Sequence, residues 1–155
     1  MNENNVLWFF AYDSAMNNTR LEGRGLKIIS YEPAYLNDYE LKFNKRSVDG
    51  TTKANIVRVP EQKVYGIIYK LPKSELTKLD NIVGKTSGHY DRQELQVITM
   101  NEEIFVANVY TAVARHLVSE DEMRPSQQHV STIVNAAVRH RLDPNYITYL
   151  KSFLD

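Results

Sequence analysis

The chain contains no cysteine, which excludes disulfide bonds, thiol nucleophiles and thiolate metal sites. It also lacks an excess of charge, because 19 Lys and Arg balance 19 Asp and Glu. No global field therefore attracts nucleic acid or an anionic membrane. The apolar run at the N-terminus, Val6–Tyr12, is too short for a membrane span or a secretory signal. These absences predict a cytoplasmic protein with neither a nucleic-acid nor a membrane partner.

What is present is the composition of an ordinary globular protein, with 43% apolar and 25% charged residues in 155. No repeat or linker divides the chain, so we expect a single domain over residues 1–155. The four histidines show no metal-ligand spacing, and we expect neither a metal nor a cofactor. His129 is best interpreted as a core residue, and second as the edge of a pocket.

The hydrophobic pattern predicts a sheet in the first two thirds of the chain. Val6–Tyr12 has the length and the continuous apolar character of a buried strand. Leu26–Tyr31 is predicted as a second strand, and the alternation in Tyr35–Phe43 as a third. Ala54–Val59 and Val64–Leu71 are predicted as two further strands, joined across Pro60. A hairpin over residues 92–113 completes the sheet.

Helices are predicted where the period changes. Pro72 favours the first turn of a short helix over Lys73–Ile82. Ser126 is a plausible N-cap for a C-terminal helix, and Asp143 with Pro144 begins another. One face of the first of these helices carries the apolar residues Val130, Ile133, Val134, Ala137 and Val138. Together these patterns predict an α+β protein of roughly seven strands, a small mixed or antiparallel β-barrel with an inserted short helix and C-terminal helices.

Four segments, in order, resemble the γ-glutamylcyclotransferase family. The segment Val64–Tyr90 matches the family pattern V-W/Y-G, two apolar residues, Y/W, then L-D-x-x-E-G and a tyrosine. Phe10–Met16 matches its first loop, F-x-Y-G-S-N-M/L, with an arginine following at Arg20. Gly50–Val64 resembles the approach to its central strand, and Met123–Tyr146 its C-terminal signature. The resemblance covers most of the chain and implies the family's fold.

The resemblance also implies a reaction, the release of 5-oxoproline from a γ-glutamyl amine or peptide. The substrate's α-amine attacks its own γ-carbonyl, so the protein supplies a general base, loop amides for an anion and a bent pose. This chain departs from the pattern at three positions. Val83 stands where the family has its catalytic glutamate, Asp13 where the first loop has glycine, and Ala15 where it has asparagine. Asp80 matches a family position and is predicted to brace the helix end.

Three functions remain open. The leading hypothesis is a family member defective in cyclisation that keeps a pocket for a γ-glutamyl-like or other small anionic molecule. The predicted ligand-binding residues are Tyr12, Asp13, Ser14, Ala15, Met16, Gly84 and Tyr90. The second is an active cyclotransferase or related lyase that uses Asp13 as a relocated acid, and the third is a protein-interaction domain with a vestigial cavity. The sequence leaves both a monomer and a homodimer possible.

Overall fold

The computed structural model describes residues 5–155 of the chain. Its strands are β1 (Val6–Ala11), β2 (Ser30–Arg46), β3 (Thr52–Pro72), β4 (Tyr90–Thr99) and β5 (Ile104–Ala112). Its α-helices are α1 (Asn18–Gly23), α2 (Leu76–Val83), α3 (Gln127–Arg139) and α4 (Pro144–Lys151). Short 3-10 turns lie at Ser14–Met16, Lys73–Glu75, Ala114–His116 and Glu120–Glu122. None of the helices in residues 5–155 is long and apolar enough to cross a membrane.

The five strands close into a barrel in the order β1-β3-β2-β4-β5. Four of the pairings are antiparallel, and β1 returns to β5 in parallel at Phe9 and Asn108. The sheet is therefore mixed. The predicted α+β barrel with an inserted helix and C-terminal helices is confirmed.

The strand count differs from the prediction of seven, because two long strands replace four short ones. β3 is continuous through Pro60, and the predicted strand at Leu26–Tyr31 begins only at Ser30, where it runs on into β2. The reason is a bulge. Asp38 and Glu61 both have left-handed φ angles, 66° and 71°, and the Glu61 amide donates to Asp38 Oδ1 at 3.0 Å. The register shifts there, so both strands bend together instead of ending.

The predicted helices are present, and the predicted caps hold them. The Ser126 side chain accepts from the amide of His129, and the Asp143 side chain caps α4 ahead of Pro144. One residue of the predicted apolar face is wrong, since Val138 is 52% exposed and Ala136 is buried instead. The buried stripe of α3 is rotated toward Ala136 because the helix packs against both α4 and the Ser14–Met16 turn.

Gly66 marks the closest approach between β3 and β1. A Cβ atom placed on it would lie 2.2 Å from the carbonyl oxygen of Ala11 and 2.9 Å from the Phe10 ring. Only glycine fits between these backbones, which explains the glycine in the segment Val64–Tyr90. The same contact fixes the end of β1, where the chain leaves the barrel and enters the first loop.

Candidate functional site

The first loop is built by the end of β1. Beyond Ala11, the chain passes through Tyr12 and Asp13 into the 3-10 turn at Ser14–Met16, and Asn17 then caps α1. The backbone at Asp13 has φ −120° and ψ −147°, outside the left-handed region. An aspartate is therefore accommodated at the family's glycine position without the positive φ that a glycine there would allow.

Three successive amides at this loop donate to acceptors within it. The Ala15 amide donates to Asp13 Oδ1 at 3.0 Å. The Met16 amide donates to the Asp13 carbonyl oxygen at 2.9 Å, and the Asn17 amide to the Ser14 carbonyl oxygen at 3.1 Å. The Asp13 carboxylate thus takes the place of an external anion at Ala15, and it is the N-cap of the turn.

The first loop forms one wall of a cavity of about 460 Å³. Its other walls come from the end of α2, from the barrel strands and from the N-terminal part of α3. Its polar and aromatic lining residues include Tyr12, Asp13, Ser14, Arg20, Arg24, Asp49, Lys53, Tyr90, Tyr110 and His129. The cavity lies where the sequence predicted a pocket, between the first loop, the α2 end and Tyr90.

Six residues of the predicted site line the cavity: Tyr12, Asp13, Ser14, Ala15, Val83 and Tyr90. Two predicted ligand-binding residues do not. The Met16 side chain is fully buried in the core. Gly84 ends α2 with φ 105°, and its carbonyl oxygen accepts from the amides of His89 and Tyr90. Gly84 therefore turns the chain from α2 toward Tyr90, and its contribution to the cavity is indirect.

The wall at the end of α2 is apolar. Ile82 and Val83 both line the cavity and pack against the core. The nearby carboxylate of Asp80 is engaged elsewhere, since it accepts from the Tyr110 hydroxyl at 2.6 Å and from Arg92 Nε at 3.0 Å. Asp80 thus braces the helix end, as predicted. Val83, where the resemblance predicts a glutamate, has no side-chain proton acceptor.

Three tyrosine rings line the cavity, and each hydroxyl donates to a protein acceptor. Tyr12 donates to the Tyr110 carbonyl oxygen at 2.7 Å, Tyr90 to the Ala54 carbonyl oxygen at 3.2 Å, and Tyr110 to Asp80. Burial raises the pKa of all three above its usual 10. The three phenols therefore stay protonated at neutral pH.

Asp13 lines the same cavity as these tyrosines. Burial raises the pKa of Asp13, while the hydrogen bond from the Ala15 amide and the charge of Arg20 act in the opposite direction. Among the described residues, no Lys, Arg or His nitrogen lies within the 4.0 Å ion-pair distance of its oxygens. The cavity thus contains a partly buried carboxylate without an ion-pair partner within 4.0 Å among residues 5–155.

His129 lies at the start of α3 and lines the cavity. Its Nε2 accepts from the Ala54 amide at 3.2 Å, so the neutral ring carries its proton on Nδ1. Burial lowers its pKa from 6.5 to about 4, and Lys53 and Arg20 act in the same direction. His129 is therefore a neutral wall residue that joins α3 to β3, which combines the two interpretations given from the sequence.

The charged rim of the cavity was largely missed from the sequence. Arg20 of α1 and Arg24, the residue that follows α1, are both exposed and line it on one side. Lys53 lines it from β3 and pairs with Asp49 at 3.7 Å. Nothing in the local pattern around Lys53 or Tyr110 predicts that these residues meet the first loop.

Comparisons with known proteins agree with this geometry. A model of the AIG2-like family matches residues 63–150. The γ-glutamylcyclotransferases of Bos taurus and Homo sapiens are each 28% identical to the chain, over 93% of it and 77% of their own length. A solved γ-glutamyl cyclotransferase structure covers 95% of this chain and 87% of its own, with 25% identity and a TM-score of 0.78. Because the family model spans more than half of the chain, the protein belongs to the AIG2-like family, and its sequence and fold are γ-glutamylcyclotransferase-like.

Proposed function

We propose that this protein binds a small molecule in the cavity beside the first loop and does not carry out the cyclisation after which its relatives are named. The observation that carries the proposal is the position of Val83, which lines the cavity where the resemblance puts a glutamate. A valine cannot accept the proton of the attacking amine. Loss of a general base typically lowers a rate by about 10²–10⁴-fold.

The other lining carboxylates support this proposal. Asp49 lies at the rim, and hydrogen bonds from Thr51 lower its pKa to about 2, which makes it a weak base. One oxygen of the Asp13 carboxylate already accepts a hydrogen bond from the Ala15 amide. Its charge also opposes a ligand carboxylate at the loop that would otherwise bind one.

The test is 5-oxoproline release from γ-glutamyl-alanine and other γ-glutamyl amines. The protein should release none above background. A triple variant, Val83→Glu with Asp13→Gly and Ala15→Asn, restores the family's residue types and should gain turnover. Its matched control carries Val83→Gln in the same background, which keeps the shape of the side chain without the base. Release by the unmodified protein at the rate of a competent relative would overturn the proposal.

A second candidate is an active enzyme that uses Asp13 as its base. It is favoured by the raised pKa of this carboxyl, since burial makes the carboxylate a stronger base than an ordinary aspartate. Asp13→Asn keeps an oxygen for the Ala15 amide and removes the basic group. Turnover that disappears in this variant would support the second candidate, whereas unchanged turnover would eliminate Asp13 as the base.

The third possibility, an interaction domain, has weaker support. It predicts exposed apolar surface away from the cavity, and Met100, Ile104 and Val106 are exposed on the β4–β5 hairpin. These are three side chains only, and none of them lines the cavity. A small-molecule pocket therefore accounts for more of the structure.

A further inference from the structure

We propose that the cavity takes a zwitterionic amine, with a primary ammonium group of the ligand against Asp13 and its anionic group against Arg20 and Arg24. This inference rests on the proposed function and names the class of ligand. It also specifies which end of the cavity binds the cationic group and which end binds the anionic group. The first loop, which holds an anion according to the family resemblance, would here hold a cation.

The first reason is the unbalanced charge of Asp13. One of its oxygens accepts from the Ala15 amide, and no described cation lies within ion-pair distance of either oxygen. A partly buried carboxylate in this state is stabilised by an added positive charge. A primary ammonium group also donates hydrogen bonds, which the free carboxylate oxygen can accept.

The second reason is the aromatic surface around it. The rings of Tyr12, Tyr90 and Tyr110 line the same cavity as Asp13. Burial raises the pKa of Tyr12 and of Tyr90 most, and the Asp13 charge acts in the same direction. Their hydroxyls are already donated to protein acceptors, which leaves the ring faces for the ligand. Tyrosine faces attract cations and do not attract carboxylates.

The third reason is the position of the cations. Arg20 of α1 and Arg24 at the end of that helix both line the cavity, are exposed, and make no ion pair within the described part of the chain. Lys53 differs from them, because Asp49 already neutralises it at 3.7 Å. An anionic group at the rim therefore meets two arginines, and an ammonium group at the loop meets one carboxylate and three rings.

The experiment is an NMR titration of the ¹⁵N-labelled protein with three probes of equal chain length. 5-Aminovalerate carries both charges, pentylamine only the cation, and valerate only the anion. The proteins are the unmodified chain, Asp13→Asn, the double variant Arg20→Gln with Arg24→Gln, and Asp49→Asn as a control on the rim. Asp13→Asn retains an acceptor for the Ala15 amide, so the loop should keep its fold.

The expected pattern separates the two ends of the site. 5-Aminovalerate should bind most tightly and shift the amides of residues 12–15 and of α1. Asp13→Asn should weaken 5-aminovalerate and pentylamine by about tenfold or more and leave valerate unchanged or tighter. The arginine double variant should weaken 5-aminovalerate and valerate but not pentylamine. Asp49→Asn should leave pentylamine binding within about twofold of the unmodified chain, since Asp49 is already paired.

Other outcomes overturn the inference. Valerate binding at residues 12–15 more tightly than pentylamine would show that the loop still prefers an anion, while the proposed binding function would stand. Amine affinity unchanged in Asp13→Asn would place the ammonium group elsewhere. If no probe shifts the lining residues up to its solubility limit, the inference fails. The proposed function is tested separately, by 5-oxoproline release.

Discussion

The Tyr110 hydroxyl donates a hydrogen bond to Asp80 Oδ1 at 2.6 Å, and this hydrogen bond links the end of α2 to the β4–β5 hairpin. Arg92 of β4 donates to the same oxygen at 3.0 Å. Because Val83 and Tyr110 line one cavity, the position of the cavity wall depends on this anchor. Asp80 thus supports the cavity wall although it does not line the cavity itself.

Removing either partner of this anchor should lower the free energy of unfolding. Tyr110→Phe loses one hydrogen bond to a charged group and should cost about 1.5–3 kcal/mol. Asp80→Ala should cost more, because both Tyr110 and Arg92 lose their acceptor. Urea unfolding measures both values, with Asp91→Ala, an exposed carboxylate on β4, as the control. A cost for Asp80→Ala no larger than that of Asp91→Ala would contradict the anchor.

Gly66→Ala should be among the most destabilising small substitutions in the barrel. The added methyl would lie 2.2 Å from the Ala11 carbonyl oxygen, so β1 and β3 must separate. Overpacking of this kind costs about 1–3 kcal/mol, and a backbone oxygen yields less than a side chain does. The matched control is Gly23→Ala at the end of α1, where the added methyl has open space. Thermal unfolding should give a clear loss for Gly66→Ala alone, and equal melting temperatures would refute the close approach.

Local patterns were sufficient to predict the helices and the hairpin, because caps and periodicity act over a few residues. Ser126, Asp143 and Pro144 hold the ends where the sequence puts them. The continuity of β3 could not be predicted in the same way. It depends on the hydrogen bond between Glu61 and Asp38, which are 23 residues apart. The strand forms a bulge there, where the sequence pattern predicts that it ends.

His129 should make stability depend on pH in a mildly acidic window. Its pKa falls from 6.5 in the unfolded chain to about 4 in the fold, so the unfolded chain takes up the proton first. The contribution is full above pH 6.5 and is lost as the pH falls to 4, with a total on the order of 3 kcal/mol. The positive charges of Lys53 and Arg20 oppose protonation of His129, and the Asp49 carboxylate favours it.

His129→Gln provides the comparison, because its amide oxygen can accept from the Ala54 amide and does not titrate in this window. Unfolding free energies of both proteins, measured by denaturant from pH 7.5 to 4, should converge as the pH falls. Parallel curves would mean that His129 takes up its proton in the folded state as readily as in the unfolded chain.

The site was only partly predictable, for a related reason. Tyr12, Asp13 and Val83 were identified because each stands inside a motif with a fixed order. Lys53 reaches the cavity from β3 and Tyr110 from β5, so their meeting is a property of barrel closure. The charged residues that line the cavity from separate elements therefore come together only in three dimensions.

Asp13→Asn should stabilise the protein at neutral pH. Burial raises the pKa of the Asp13 carboxyl in the folded protein. Ionisation of Asp13 therefore lowers the free energy of unfolding most at pH values above this raised pKa. It has no effect well below the usual 3.8, where the carboxyl is protonated in both states. Asparagine keeps an acceptor for the Ala15 amide and removes this cost, and the melting temperature should rise at pH 7 and match the unmodified chain in strong acid. Asp13→Ala separates cap from charge, because loss of the cap should cost about 1 kcal/mol. A lower melting temperature for Asp13→Asn at pH 7 would mean that the fold stabilises the carboxylate. An amine that binds beside Asp13 should reverse the advantage of asparagine, since it stabilises only the chain that carries the charge.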